Sequence, residues 1–309
     1  MIYTVTLNPA LDRTLHVESL APGQSTRIRS EARFAGGKGI DVSRALREMG
    51  SDSIALGLVG GFDGKELEGR LLLSGVACRF THIANETRTN IIIQDESNGA
   101  ETALLARGPE VQPPELMDFL DVLERSLDMS FLVISGSLPP GLTPEVYSRM
   151  ITIGNERGAK VVLDTAGEAL RQSIRAHPAV IKPNRYELAE LAGRTLPDTR
   201  AIAGYAAGLL DLVETVLVSL GADGIVMVTK NQVVHVRPPK VAVKSTVGAG
   251  DCAVAGFVHG MAVGESNTDA LRRAVATGTA ATLNAGTGLC RCADVEAILP
   301  QVTVEEVGR

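Results

Sequence analysis

The chain has 309 residues, with 36 acidic against 30 basic side chains, and only four Tyr, six Phe and no Trp. A mildly acidic chain with few aromatics and no basic tract lacks both the charge footprint and the stacking platform of a nucleic-acid binder. No apolar run is long enough to span a bilayer and Met1–Leu7 carries no charged leader, so the expectation is a soluble, cytoplasmic protein with no membrane partner. The length suits one large α/β domain, and the four cysteines at 78, 252, 290 and 292 lack zinc-type spacing and read as reduced thiols.

The first predicted strand, Ile2 to Leu7, runs into Asn8-Pro9-Ala10-Leu11-Asp12. Asp12 then lies just past a strand end, where open α/β sheets bind ligands; a turn cap explains it equally well. Residues 13–35 and 88–106 lose helical period and alternate like strands, the second around a hairpin signal at Asn98-Gly99. Two such excursions predict a small accessory sheet, serving as a lid, as an oligomer surface, or as both. Between them, Gly36-Gly37-Lys38-Gly39 opens a helix that Gly50 ends. The Gly-x₄-Gly-Lys-Ser/Thr spacing of a phosphate-binding P-loop is absent, so that fold is disfavoured.

From 113 onward helices alternate with short apolar strands: helix 113–127, strand 131–135, helix 143–157, strand 160–164, a short helix near 167–174, strand 180–181, helices 185–192 and 198–212, and strand 216–220. That order means parallel strands covered on both faces. Strands at 225–228 and 232–236 then turn back as an antiparallel edge. Lys182-Pro183-Asn184-Arg185-Tyr186-Glu187 follows the strand at 180–181, and its Asn184 and Glu187, three apart, face one way. They suit a water or Mg²⁺ beside phosphates with Lys182 supplying charge, and they equally suit a capping box. Asn284 suits an adenine pocket edge or, more simply, a helix cap.

The organising stretch is Ser245-Thr246-Val247-Gly248-Ala249-Gly250-Asp251, followed by a small-residue apolar run from Cys252 to about Val263 that reads as a buried helix. A glycine turn feeding a helix start is an anion site, because free N–H groups and the positive helix end point the same way. A carboxylate there is awkward unless it takes the proton of a hydroxyl that attacks a phosphate. The competing explanation is that Asp251 is simply the N-cap.

Thr246–Asp251 resembles the signature of the PfkB/ribokinase family of carbohydrate kinases. So do the Leu7–Asp12 string, the Gly36-Gly37 turn, Ser135–Gly141, Lys182-Pro183-Asn184-x-x-Glu187 and Ser219-Leu220-Gly221, in family order along nearly the whole chain. The resemblance implies a ribokinase-like three-layer α/β/α sandwich over residues 1–309, with a mostly parallel central sheet and a lid from about 13–35 and 88–106. It implies Asp251 as catalytic base with Gly248, Ala249 and Gly250 as anion hole, and Mg²⁺ organised by Asn184 and Glu187. Lys182, Asn184, Ser219, Gly221, Gly224, Thr246, Val247 and Asn284 then belong to the ATP side. Asp12, Gly37, Lys38, Asp41 and Arg88 then face a sugar phosphate. Arg27 and Arg88, one from each strand-rich excursion, suit bidentate bonds to that phosphate, and they equally suit surface arginines on a sheet.

Within the family the chain resembles the branch of 6-phosphofructokinase type 2, 1-phosphofructokinase and tagatose-6-phosphate kinase. Two departures bear on the sugar. Asp41 replaces the family's usual Asn and so accepts hydrogen bonds without donating. Gly288 replaces an expected Arg in a tail, Ala281–Cys290, that otherwise resembles 6-phosphofructokinase type 2, whereas Lys38 follows the other two enzymes. The expectation drawn is fructose 6-phosphate, with fructose 1-phosphate and tagatose 6-phosphate as alternatives, a homodimer through the lid sheet, and an open requirement for a monovalent cation such as K⁺. A catalytically silent sugar-phosphate or nucleotide sensor is the rival from another class, disfavoured because Lys182, Asn184, Glu187 and Asp251 all stand. A dinucleotide-binding oxidoreductase is disfavoured because no Gly-x-Gly-x-x-Gly follows the first strand.

Overall fold

The computed structural model describes residues 1–284, 286 and 288–307, so Ala285 and Thr287 of the tail string lie outside the described residues. β1 (Ile2–Thr6) leads to β2 (Ala10–Val17) and β3 (Ile28–Gly36), then to α1 (Lys38–Glu48), β4 (Ser53–Gly60), α2 (Gly61–Leu73) and β5 (Ala77–Ile83). β6 (Arg88–Asp95) and β7 (Ala100–Leu104) form a hairpin. After it come α3 (Pro113–Glu124), β8 (Phe131–Ser135), α4 (Glu145–Glu156), β9 (Lys160–Asp164), α5 (Gly167–Ser173) and β10 (Val180–Ile181). The last elements are α6 (Arg185–Ala192), α7 (Thr199–Ala207), β11 (Thr215–Ser219), β12 (Ile225–Thr229), β13 (Val233–Arg237), α8 (Ala249–Ala262), α9 (Asn267–Ala281), α10 (Cys292–Ile298) and β14 (Thr303–Glu306).

The large sheet runs β14-β13-β12-β11-β10-β9-β8-β1-β4-β5. From β11 through β5 the neighbours are parallel, while β12, β13 and β14 turn back antiparallel. Phe131-Leu-Val-Ile-Ser and Val161-Val-Leu-Asp are buried residue after residue, as strands covered on both faces must be. One face packs against Phe119 and Leu123 of α3, Tyr147 and Met150 of α4, Leu188 of α6 and Ile202 of α7. The other packs against Val42 and Leu46 of α1, Phe257 of α8 and Leu271 of α9. The result is the expected ribokinase-like α/β/α layering.

The second sheet, β3-β2-β6-β7, is built from the two strand-rich excursions. β2 pairs in parallel with β6, setting Asp12 opposite Asn90, and antiparallel with β3, setting Asp12 opposite Phe34.

Two boundaries differ from the sequence reading for local reasons. α8 begins at Ala249 rather than Cys252, because Gly248 takes a left-handed φ of 73° and caps the helix itself. α7 ends at Ala207 rather than 212, because the chain tightens into three-residue turns, Gly208 to Tyr205 and Leu212 to Leu209. α8 lies close against α9: a methyl group on Gly260 would stand 2.8 Å from the Ala270 Cα. That contact fixes the axis of the helix whose first turn carries Asp251.

Candidate active site

Parallel strands deliver their loops to one end of a sheet. Here that end collects Asn8 after β1, Gly136 after β8, Asp164 closing β9, Lys182 after β10, Ser219 closing β11, and the 248–251 turn. Asp251 is buried in the first turn of α8 and makes no capping bond, so the N-cap explanation is overturned: the cap is Gly248. Burial, then the charges of Asp164 and Asp41, push the Asp251 carboxyl well above the usual range, against the pull of Lys38 and Lys182. A carboxyl raised in this way is a stronger proton acceptor than an ordinary one.

Lys182 is almost wholly buried, with its Nζ 3.2 Å from Asp164 Oδ1; Lys38 Nζ is 3.4 Å from Asp164 Oδ2. A Cβ built on Gly250 would stand 3.6 Å from Lys182 Nζ, which places that ammonium against the glycine turn. The lysine therefore sets a positive charge against the start of the helix that carries Asp251.

Asn184 is the N-cap of α6. Its Oδ1 accepts from the N–H of Tyr186 at 2.8 Å and Glu187 at 2.9 Å, while Glu187 Oε2 accepts from Asn184 N at 2.8 Å. The capping box is therefore real. It leaves Glu187 Oε1 without a described hydrogen bond, and the Glu187 charge reaches Lys38. Among the described residues no cluster of three acidic, His or Cys side chains forms a metal cage. One spare carboxylate oxygen, its charge felt at Lys38, does fit Mg²⁺, an ion that takes one or two carboxylates and fills its other positions with waters and phosphate oxygens.

On the other flank, Asp12 lies within β2 itself rather than in a loop after β1. Its Oδ1 accepts from Asn90 Nδ2 at 2.8 Å, and a side chain on Gly36 would overlap its Oδ2 at 2.1 Å. Burial raises the Asp12 pKa, offset by Asn90, Arg88 and Arg44. Asp41 accepts from Arg44 Nη1 at 2.9 Å, and burial pushes its carboxyl up to about 7, with Asp12 adding to the rise. Gly37, with φ 121°, makes the turn into α1.

Arg88 is placed at this cluster, but its guanidinium fastens backbone: it donates to Ala106 O at 2.8 Å, Asn8 O at 2.9 Å and Pro9 O at 3.4 Å. Arg27 is exposed ahead of β3, and no described contact ties it to Asp12 or Arg88. Asn284 closes α9 and its following loop, donating to Ala280 O at 3.3 Å and Leu289 O at 2.9 Å, as a helix-end residue does. Ser219 bridges to Asn184, and Gly221 and Gly224 turn at φ 64° and 90° between β11 and β12. Lys244 N donates to Thr282 O at 2.8 Å, anchoring the loop that carries Thr246 and Val247 to the end of α9.

Asp164 escaped the sequence reading, because Lys160-Val-Val-Leu-Asp reads as a strand with a polar terminus. Buried polar atoms without a described partner also lie here: Asn8 Oδ1 and Ser135 Oγ at this end of the sheet, and Thr14 Oγ1 on β2. A groove of about 700 Å³ opens at the opposite end, near Lys160, Glu214 and Thr229, but its charged side chains are exposed and, among the described residues, no buried acid or base lines it.

A buried carboxyl beside a glycine turn and a lysine, with Asp12 and Asp41 grouped on the flank of the small sheet, suits a phosphotransferase that acts on a hydroxyl acceptor. The model of the pfkB family of carbohydrate kinases matches residues 6–293, and the chain belongs to that family. It is 35% identical to the 1-phosphofructokinase of Borreliella burgdorferi, covering 99% of each chain, and 33% identical to that of Bacillus subtilis, covering 98% of this chain and 99% of the other. Phosphofructokinase-2 from Escherichia coli in complex with potassium superposes with a TM-score of 0.93 at 31% identity, over 97% of this chain and 98% of that one. The same protein in complex with fructose-6-phosphate gives 0.91 at 30% identity over the same shares. The chain is thus a phosphofructokinase-type sugar-phosphate kinase.

Proposed function

We propose that the chain transfers the γ-phosphoryl group of MgATP to a primary hydroxyl of a fructose monophosphate, giving fructose 1,6-bisphosphate. The observation that carries this is the burial of Asp251, with its raised pKa, against the 248–250 turn and Lys182. Asp251 draws the proton from the acceptor hydroxyl, which attacks phosphorus in line. The first-turn N–H groups and Lys182 offset the charge on the transferring group. Asp12 and Asp41 orient sugar hydroxyls. Glu187, with water near Asn184, would hold Mg²⁺, which when bound would neutralise charge at the phosphates. The β2–β3 and β6–β7 sheet serves as the lid that excludes water.

Fructose 1-phosphate is the first reading of the acceptor. Two relatives of matching length are named 1-phosphofructokinase, and Lys38, the residue shared with that pattern, is ion-paired within the site. Fructose 6-phosphate, the expectation from the tail, stays as the second reading because a structure so named superposes over nearly the whole chain. The two share a product and differ in which end of the ketose carries phosphate. Steady-state turnover with MgATP against both, and against tagatose 6-phosphate and fructose, decides between them. The expected result is the highest kcat/KM for fructose 1-phosphate; no turnover with any of the four removes the reading. The same assay in K⁺ and in Na⁺ tests the monovalent cation. Exposed β7 and the exposed start of β3 leave a bare sheet face suited to a second copy, which a solution molar mass checks.

A further inference from the structure

We propose that Asp164 is a positioning residue for phosphoryl transfer, its two carboxylate oxygens holding Lys38 and Lys182 side by side next to Asp251. The two lysines come from opposite flanks of the site. Lys38 opens α1 from the glycine turn beside the Asp12–Asp41 cluster, and Lys182 follows β10 against the 248–250 turn. Asp164 closes β9, next to β10 and β8 in the sheet, and is the one described side chain ion-paired to both, at 3.4 Å and 3.2 Å.

An ammonium left to itself samples many rotamers on a four-carbon stem. Lys38 has the more exposed stem, with 43% of its side chain accessible, so a fixed counter-ion decides where its charge sits. Burying a carboxylate costs several kcal/mol unless it is paired. Asp164 meets that condition: burial pushes it upward, but Lys182 and then Lys38 overcome this and hold it below the usual carboxylate range. Its own backbone is fixed too, since Gly136 N donates to Asp164 O at 3.1 Å and Thr165 Oγ1 to Gly136 O at 3.0 Å. Around Asp251 the charged groups are Asp164 from β9, Asp41 and Lys38 from α1, and Lys182 after β10. Asp164 thus sets both the place of the two cations and part of the field at the base.

The inference rests on the kinase reading, so its test has an arm that needs no turnover. In unliganded protein, the rates at which an amine-acylating reagent labels Lys38 and Lys182 are followed against pH by mass spectrometry. Asp164→Asn removes the main cause of the raised Lys38 pKa, so its labelling midpoint falls by about one unit, a roughly tenfold gain in neutral amine at fixed pH. An unchanged midpoint overturns the proposal even if the enzyme turns over. In the kinetic arm, Asp164→Asn lowers kcat at least tenfold with the sugar-phosphate KM moved by less than threefold. In a Lys38→Met background the same substitution costs several-fold less. Equal cost in both backgrounds, or a loss restored simply by raising Mg²⁺, assigns Asp164 to folding or to the metal and ends the proposal. Circular dichroism and the thermal midpoint of each variant establish that it is folded. Failure of the wild-type chain to use any phosphosugar sinks the kinase reading instead.

Discussion

The two flanks of the site are made from different materials. Around Asn184 and Gly248, the arrangement is backbone: a capping box, a glycine-capped helix start and a turn between β11 and β12. Around Asp12 and Asp41 it is buried charge: two carboxylates answered by Arg44, Arg88 and Asn90 across three elements. Backbone N–H groups keep their charge at any pH and survive most substitutions. A buried carboxylate pair is set by its neighbours and can be retuned by one residue. The flank assigned to the nucleotide should therefore be robust, and the flank assigned to the sugar should respond to pH and to single changes.

The largest expected effect falls on the residue where the flanks meet. Asp251→Asn keeps the shape of the α8 turn but removes the proton acceptor, so kcat should drop by about 10²–10⁴-fold while MgATP affinity stays within about twofold. Turnover near that of the wild type would remove Asp251 from the chemistry and leave the glycine turn as a binding device only. With Asp251 present, activity should be lost as pH falls, because its raised pKa means that the proton-accepting form is depleted earlier than for an ordinary carboxyl.

A smaller effect separates the flanks directly. Asp41 sits near 7, so raising pH through neutrality adds a negative charge beside a dianionic substrate. The KM for the sugar phosphate should rise by up to about tenfold from pH 6 to 8, and the KM for MgATP should not follow it. Asp41→Asn, which is neutral throughout and both donates and accepts, should flatten the dependence. A pH response confined to MgATP, or one that survives the substitution, would reverse the assignment of the flanks.

Much of this site was legible in the sequence because its turns need particular residues. Gly36 cannot carry a side chain beside Asp12, and Gly248 supplies a left-handed cap; both stood out as glycines in short motifs. The alternation of helices and apolar strands from 113 onward gave the layered sheet. What stayed hidden was made by contacts distant in sequence. Lys38 and Asp164 are 126 residues apart, and nothing near Asp164 advertises the pairing. β4, α2 and β5 (53–83) fill one end of the large sheet without a motif, and only the pairing of β4 with β1 and of β5 with β4 identifies them. Arg88 was readable as a phosphate partner by charge, but its bonds to three backbone carbonyls depend on where β1, β2 and the 106–108 turn meet.

The smallest effect tests whether the backbone flank is as robust as its construction implies. Asn184 serves the capping box through one oxygen, and Asp accepts the same two N–H bonds. Asn184→Ala should cost about 1 kcal/mol of stability, lowering the thermal midpoint by about 2–4 °C. Asn184→Asp should leave the midpoint unchanged within about 1 °C, since the two residues are nearly equal as caps. If the cap is the whole role of Asn184, the Mg²⁺ dependence of activity should move in neither variant. If Asn184 also orders water around the metal, the added charge in Asn184→Asp should shift the Mg²⁺ requirement although the protein melts like the wild type. Melting and Mg²⁺ titration of the same two proteins thus separate a helix cap from a metal-site residue at one position, and a cap-only result would leave Glu187 as the sole protein group from that turn serving the metal.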